Sequence, residues 1–228
     1  MLRIKLAGDD IVLHPSGAAL LASQRTLLVA DAHFGKAVSF RKLGVPVPSG
    51  TTAETLSILS KAMNDTGAER IVFLGDFLHS KRSHAAGTLD AIHAWREEHA
   101  HVDITLVRGN HDDRAGDPPQ HFRFDVVDGP INLGPFALAH HPQPVEGRYV
   151  IAGHWHPCIS VGGRVFDRLR LPCFWFGDDS GAQPRQSVGV LPAFGSFTGM
   201  HRIEPREGDR IYPIADDVVR AIPQSPVG

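Results

Sequence analysis

Five short apolar runs, at residues 27–30, 71–74, 104–107, 136–139 and 149–152, constrain this chain more than any other feature. Each is too short for a helix and is bounded by Gly, Asp, Pro or charged residues, so each reads as a buried strand. Between the first two, Thr51-Thr52-Ala53-Glu54 has the spacing of a capping box. Leu56, Leu59 and Met63 follow at helical intervals, and Gly67 stands where a C-terminal cap belongs. A second helix is predicted from near Ser83, with Leu89, Ile92 and Trp95 on one face. Strand, helix, strand, helix, strand predicts parallel βαβ units. Ahead of them, 2–6, 11–13 and 18–21 read as antiparallel strands joined by Asp9-Asp10 and Pro15-Ser16-Gly17 turns. Behind them, 168–176 and 187–191 read as further strands and 216–222 as a short helix. Two mixed sheets in one α/β sandwich accommodate both halves, and 228 residues without repeats or long linkers fit a single domain, 1–228.

Directly after each of the five runs comes a cluster of polar residues able to ligate metal. They are Asp31-Ala32-His33, Gly75-Asp76-Phe77-Leu78-His79, Gly109-Asn110-His111-Asp112, His140-His141 and Gly153-His154-Trp155-His156. Ligands at the carboxyl ends of neighbouring strands converge on one crevice. Residues two apart in an extended segment project to the same side, so Asp31 with His33, and His154 with His156, can each serve one site. Any one cluster is an ordinary strand end or histidine-bearing loop. Five in succession are not explained by composition, even with 14 histidines. Carboxylate, imidazole and one amide oxygen, without thiolate, suit a pair of borderline divalent cations, manganese, iron or zinc.

Composition narrows the partners. A net charge of −2 argues against a broad basic surface, so any nucleic-acid contact must be local. No apolar run approaches a membrane span and the N-terminus lacks an export signal, which makes the cytoplasm the expected compartment. Cys158 and Cys173 have neither zinc nor redox spacing and are expected to be plain reduced thiols.

The order D-x-H, G-D, G-N-H-D, H and G-H-x-H, covering Asp31 to His156, resembles the calcineurin-like metallophosphoesterase superfamily. The resemblance implies an α/β/β/α sandwich, two mixed β-sheets flanked by helices, and a two-metal hydrolase in which a hydroxide shared by the cations attacks phosphorus in line. It implies Asp31, His33 and His156 on one metal, Asn110, His140 and His154 on the other, and Asp76 bridging. His140 directly follows its strand, but His141 stays open as the alternative. His111 would be the catalytic imidazole, and Asp112 would orient it or a neighbouring backbone turn. His79 departs from the family's pattern, which often has an acidic residue there.

Residues 40–50, His79-Ser80-Lys81-Arg82 and residues 191–199 look like the bacterial DNA-ligase-associated metallophosphoesterases, a subgroup assigned to DNA repair as manganese-dependent endonucleases. That resemblance implies DNA as substrate, Mn2+ as the first choice of metal, and a ligase, helicase or exonuclease of the same repair pathway as partners. Arg41, Lys42, Lys81 and Arg82 are placed in loops beyond metal-bearing strand ends, where Arg41 and Arg82, with His79, are the candidates to hold substrate phosphate. Trp155 must point away from its histidine neighbours and is expected to pack rather than stack on a base. The alternative activity is a small-molecule phosphoesterase. A scaffold that had lost catalysis would be expected to lack Asn110 or His111, and both are present.

Overall fold

The computed structural model describes residues 1–47, 50–162, 169–178, 187–195 and 198–222. In the first half, β1 (Leu2–Leu6), β2 (Asp9–Leu13), β3 (Ala19–Leu21) and β4 (Thr26–Val29) form an antiparallel meander. From β4 the chain passes through α1 (Lys36–Lys42) and α2 (Thr51–Thr66) to β5 (Arg70–Leu74), then through α3 (Ala86–Glu98) to β6 (Asp103–Val107), and through α4 (Asn110–Ala115) to β7 (Asp125–Val127). Those connections make β4, β5, β6 and β7 parallel neighbours, as helical crossovers require. The result is one mixed sheet in the order β1-β2-β3-β4-β5-β6-β7.

The second half supplies β8 (Ile131–Leu133), β9 (Phe136–Leu138), β10 (Tyr149–Ala152), β11 (Pro157–Val161), β12 (Leu169–Phe176), β13 (Val188–Val190), β14 (His201–Arg202), β15 (Arg210–Ala215) and β16 (Val218–Val219). They form a second mixed sheet, β14-β11-β12-β13-β10-β9-β8, with β15 pairing β12 and β16. Alternation along the strands explains why the runs are apolar throughout. Leu27, Val29, Ile71 and Phe73 face α2 and α3 through Leu56, Leu59, Met63, Ile92 and Trp95. Leu28, Ala30, Val72 and Leu74 face the other way, onto Phe136, Leu138, Ile151, Phe174 and Phe176 of the second sheet. A strand covered on both faces has no polar side. Among the described residues, the helices lie in the first half of the chain.

The structure departs from the sequence-based expectations in several places. Gly50, with a φ of 86°, caps α2, and no side chain bonds its N-terminus; Thr51 is already helical, so the expected capping box does not form. Gly67 does close the helix, with a φ of 65° and its N–H on the Met63 carbonyl. The second helix starts at Ala86, behind a 3₁₀ turn, Lys81–His84. Residues 216–222 are not helical: Asp216 and Asp217, with φ of 50° and 56°, turn the hairpin between β15 and β16. Two left-handed residues in succession match the twist of a tight hairpin and are incompatible with a helix start. Arg168, expected to open β12, lies outside the described residues. Both cysteines are free and buried, and burial pushes the Cys173 thiol up to about 12. Among the described residues, no helix is long and apolar enough to cross a membrane.

Candidate metal centre

The carboxyl ends of β4, β5 and β6 lie side by side in the first sheet, and those of β9 and β10 in the second. Backbone bonds bind these ends together. The His33 N–H donates to the Asp76 carbonyl (2.9 Å), and the Gly153 N–H to the His140 carbonyl (3.2 Å). All five clusters therefore open onto one crevice between the sheets. Local strain is concentrated there. Asp31, His33, Asp76, His154 and His156 all have positive φ, between 47° and 71°. Left-handed backbone at non-glycine residues costs about 1–3 kcal/mol each and persists only where surroundings impose it.

Two glycines show how the crowding is accommodated. A Cβ on Gly75, which has a φ of 79°, would lie 2.2 Å from His140 Nδ1; one on Gly109 would lie 2.3 Å from Asp76 Oδ1. Only a residue without a side chain lets these strands approach so closely.

Each carboxylate is held by one oxygen and presents the other. Asp31 Oδ2 accepts the His154 N–H at 2.9 Å, while the buried Oδ1 has no hydrogen-bond partner and lies 3.5 Å from His156 Nε2. Asp76 Oδ1 accepts the His111 N–H at 2.9 Å and lies 3.5 Å from His140 Nε2. Asp76 Oδ2 is 3.8 Å from His33 Nε2 and 4.0 Å from His111 Nε2.

The imidazoles are oriented in the same fashion. A carbonyl can only accept, so the ring nitrogen bonded to one carries the proton and its opposite nitrogen keeps its lone pair. His140 Nδ1 donates to Leu74 O (2.9 Å), His156 Nδ1 to Gly199 O (2.9 Å) and His111 Nδ1 to His79 O (2.7 Å). Their Nε2 atoms are thereby free to face the carboxylates. Around His140 Nε2 stand Asn110 Oδ1 at 3.0 Å and His154 Nδ1 at 3.1 Å. Backbone carbonyls behind ligating imidazoles are what metal sites use to fix ring orientation.

The ligand atoms of Asp31, His33 and His156 lie within 4.8 Å of one another, as do those of Asp31, Asp76 and His140, and those of His140, His141 and His154. An orphaned carboxylate oxygen and several bare imidazole nitrogens aimed at common points fit divalent cations. Electrostatics agree. Burial holds the imidazoles of His33, His140 and His154 below the ordinary histidine range, so they are neutral at pH 7. At His156 burial acts in the same sense, but the adjacent Asp31 carboxylate outweighs it and raises the value. Burial and the neighbouring Asp31 push Asp76 up, although the His111 N–H opposes them. A cation between the two carboxylates would relieve that repulsion.

His140 is buried with Nε2 directed inward, whereas His141 is exposed, its ring 4.4 Å from that of His154. Asp112 acts on a neighbouring backbone turn. Its carboxylate accepts the N–H groups of Gly109 (3.0 Å) and Leu78 (3.1 Å), which latches the turn after β6 to the segment after β5. Burial pushes its carboxyl up to about 6. His79 stacks on His111 with centroids 4.9 Å apart, and burial lowers it to about 4. Its Nδ1 is buried without a partner, and His33, His79 and His111 form a further group of facing nitrogens.

The expected basic loops turn out to be helical. Arg41 and Lys42 end α1, and Lys81 and Arg82 lie in the 3₁₀ turn; all four are exposed, and Arg41 donates to the Val47 carbonyl at 3.3 Å. Lys36, a residue the sequence did not single out, is a cation close enough to feel both carboxylates. Burial lowers its ammonium, while Asp31 and Asp76 act to raise it. The 191–199 segment packs against the site: the Phe194 N–H donates to Ala30 O at 2.8 Å, and a Cβ on Gly195 would lie 2.4 Å from Ala32 O. Ser196 and Phe197 of that segment lie outside the described residues, as do Pro48 and Ser49 of the 40–50 segment. Trp155 is 41% exposed and tilts against Trp175 with centroids 5.6 Å apart, so it packs on one side only.

Comparison with known proteins bears on what this crevice does. Residues 24–142 match the family model described as calcineurin-like phosphoesterase. Among solved structures, the Pseudomonas putida nuclease MPE is 38% identical over 97% of this chain and 99% of its own, with a TM-score of 0.82. Weaker likenesses are to AQ665, a protein of unknown function from Aquifex aeolicus (20% identity over 57% of this chain and 78% of that one, TM-score 0.39), and to Yfce, a phosphoesterase from E. coli (15% over 86% and 91%, TM-score 0.40). No curated protein matches. With its motifs on one crevice, its two mixed sheets and a relative aligned along nearly its whole length, the chain belongs to the calcineurin-like phosphoesterase family and is a metal-dependent hydrolase of phosphate esters.

Proposed function

We propose that the chain is a two-metal phosphodiesterase that cuts DNA. The observation that carries the two-metal reading is the position of Asp76, with Oδ2 toward His33 and Oδ1 toward His140. One carboxylate thus faces both donor sets. Asp31, His33 and His156 would hold one cation, Asn110, His140 and His154 the other, and Asp76 would join them. The cations would lower the pKa of a water and polarise phosphoryl oxygens. Two of them bring about +4 against −2 from Asp31 and Asp76, which makes the crevice locally attractive to phosphate on a chain of net charge −2.

His111, half-buried with Nε2 facing the crevice, is the group to contact the reacting phosphate, where an Nε2–H would act as proton donor or as electrostatic stabiliser. The His79 carbonyl holds it, and the His79 ring stacks on it. Arg41 and Arg82 keep the role of more distant phosphate contacts. DNA as substrate is supported by the likeness to the nuclease from Pseudomonas putida and by the subgroup motifs. Manganese and a place in DNA repair beside a ligase, helicase or exonuclease rest on the same motifs. Metal-stripped protein given a panel of divalent ions should cleave a DNA oligonucleotide best with manganese. Intact DNA after long incubation, with p-nitrophenyl esters turned over, would favour the small-molecule reading instead.

A further inference from the structure

A groove of about 1320 Å³ is lined by His154 and His156 of the crevice together with Trp155, Trp175, Met200 and Arg202. Among the described residues it exceeds the roughly 300–1,000 Å³ of a small-molecule pocket and is open to solvent, dimensions that suit a polymer. Its floor comes from adjacent strands. β11 follows Trp155, β12 carries Trp175, and β14 places Arg202 opposite Cys158 on the far flank of β11. Trp155 and Met200 are each 41% exposed, an unusual allowance for large apolar side chains beside a polar site. The two indoles lie 37° from parallel, an offset pair that leaves a face of Trp155 open to solvent. Arg202 and Arg206 add positive charge, and although Glu204 and Asp209 also line the groove, the Asp209 carboxylate accepts the Arg206 backbone N–H at 2.9 Å.

We infer that this groove is the track for one flank of a single-stranded DNA substrate, with Trp155 and Trp175 as a stacking platform for an unpaired base next to the scissile phosphate and Arg202 on the backbone beyond it. The inference rests on the DNA reading above and adds where the strand lies and which residues hold it. An exposed indole receives a base only when that base is free of its own partner and neighbours, which selects single strands over duplex. Continuity does the rest. Trp155 is bonded on both sides to residues of the metal centre, so a base on it is adjacent to the chemistry.

The test uses manganese-loaded full-length protein, a single-stranded oligodeoxynucleotide and bis(p-nitrophenyl) phosphate. The readout is the ratio of kcat/KM for the oligonucleotide to that for the ester. Trp155→Ala and Trp175→Ala should each lower the ratio roughly 5- to 100-fold, chiefly through KM for the oligonucleotide. Trp155→Phe should restore most of it. Arg202→Glu should lower it too, and the loss should shrink as salt rises. Because Trp95 is the only other tryptophan and is buried, the oligonucleotide should also quench wild-type indole fluorescence, and less so in the variants. Wild-type cleavage of DNA with an unchanged ratio in Trp175→Ala and Arg202→Glu overturns the groove and leaves the nuclease reading standing. So does a dimer that Trp155→Ala dissolves without moving the ratio. A wild type that turns over the ester but not the oligonucleotide overturns both.

Discussion

At the scale of single residues, the site is assembled by backbone conformations that its side chains would not choose. Asp31, His33, Asp76, His154 and His156 are five of the ten non-glycine residues with positive φ among those described. Their coincidence with the candidate ligands marks the crevice as the place where the fold tolerates strain for geometry. Gly75 shares the burden, and Gly75→Ala should be severe: its Cβ would collide with the His140 ring in a conformation that alanine rarely adopts. We expect manganese affinity to fall roughly 10- to 100-fold, the scale on which displacing a ligand's support acts, as measured by competition with a chelating dye. Much of the residue-level arrangement was legible in the sequence because aspartate, asparagine and histidine have few reasons to recur at strand ends. Lys36 was not, since an ammonium offers no lone pair and no ligand pattern marks it. Nor was the stacking of His79 on His111, which depends on how two separate turns meet.

At the scale of elements, the parallel strands and α2 carry the site by holding its platform rigid. Leu59 is fully buried between α2 and the first sheet. Leu59→Ala should cost about 2–5 kcal/mol in urea unfolding while leaving the ligand set intact, so metal content per folded chain should not change. Elements with strong local signals were readable. The runs that became β4, β5, β6, β9 and β10 are continuous and apolar because both faces are covered, and Gly67 announces the end of α2. Elements defined by tertiary pairing were not. α1 is seven residues long and starts from Gly35 in a left-handed conformation, with no capping side chain to announce it. β16 is two residues long, and its hairpin turns on Asp216-Asp217, a pair that in sequence equally suggests the first turn of a helix.

At the scale of the whole molecule, the buried imidazoles couple folding to pH. In the metal-free protein, burial lowers His14, His33, His79, His140 and His154, so between the ordinary histidine value of about 6.5 and their folded values the unfolded chain binds more protons. Stability from these groups is complete above about pH 6.5 and is lost as pH falls. The raised His156, Asp76 and Asp112 act in the opposite sense, but they are three against five. The urea midpoint of the metal-free protein should therefore decline from pH 7.5 to 5.5; a midpoint that rises over that range would contradict this balance. The sharper test of the central claim is the number of manganese ions bound per chain at saturation, in wild type and in two variants. The two-metal site should hold two ions in the wild type, fewer in Asp76→Ala, and two in an inactive His111→Ala. A wild type that binds one ion or none, or a His111→Ala chain that loses its metal, would contradict it.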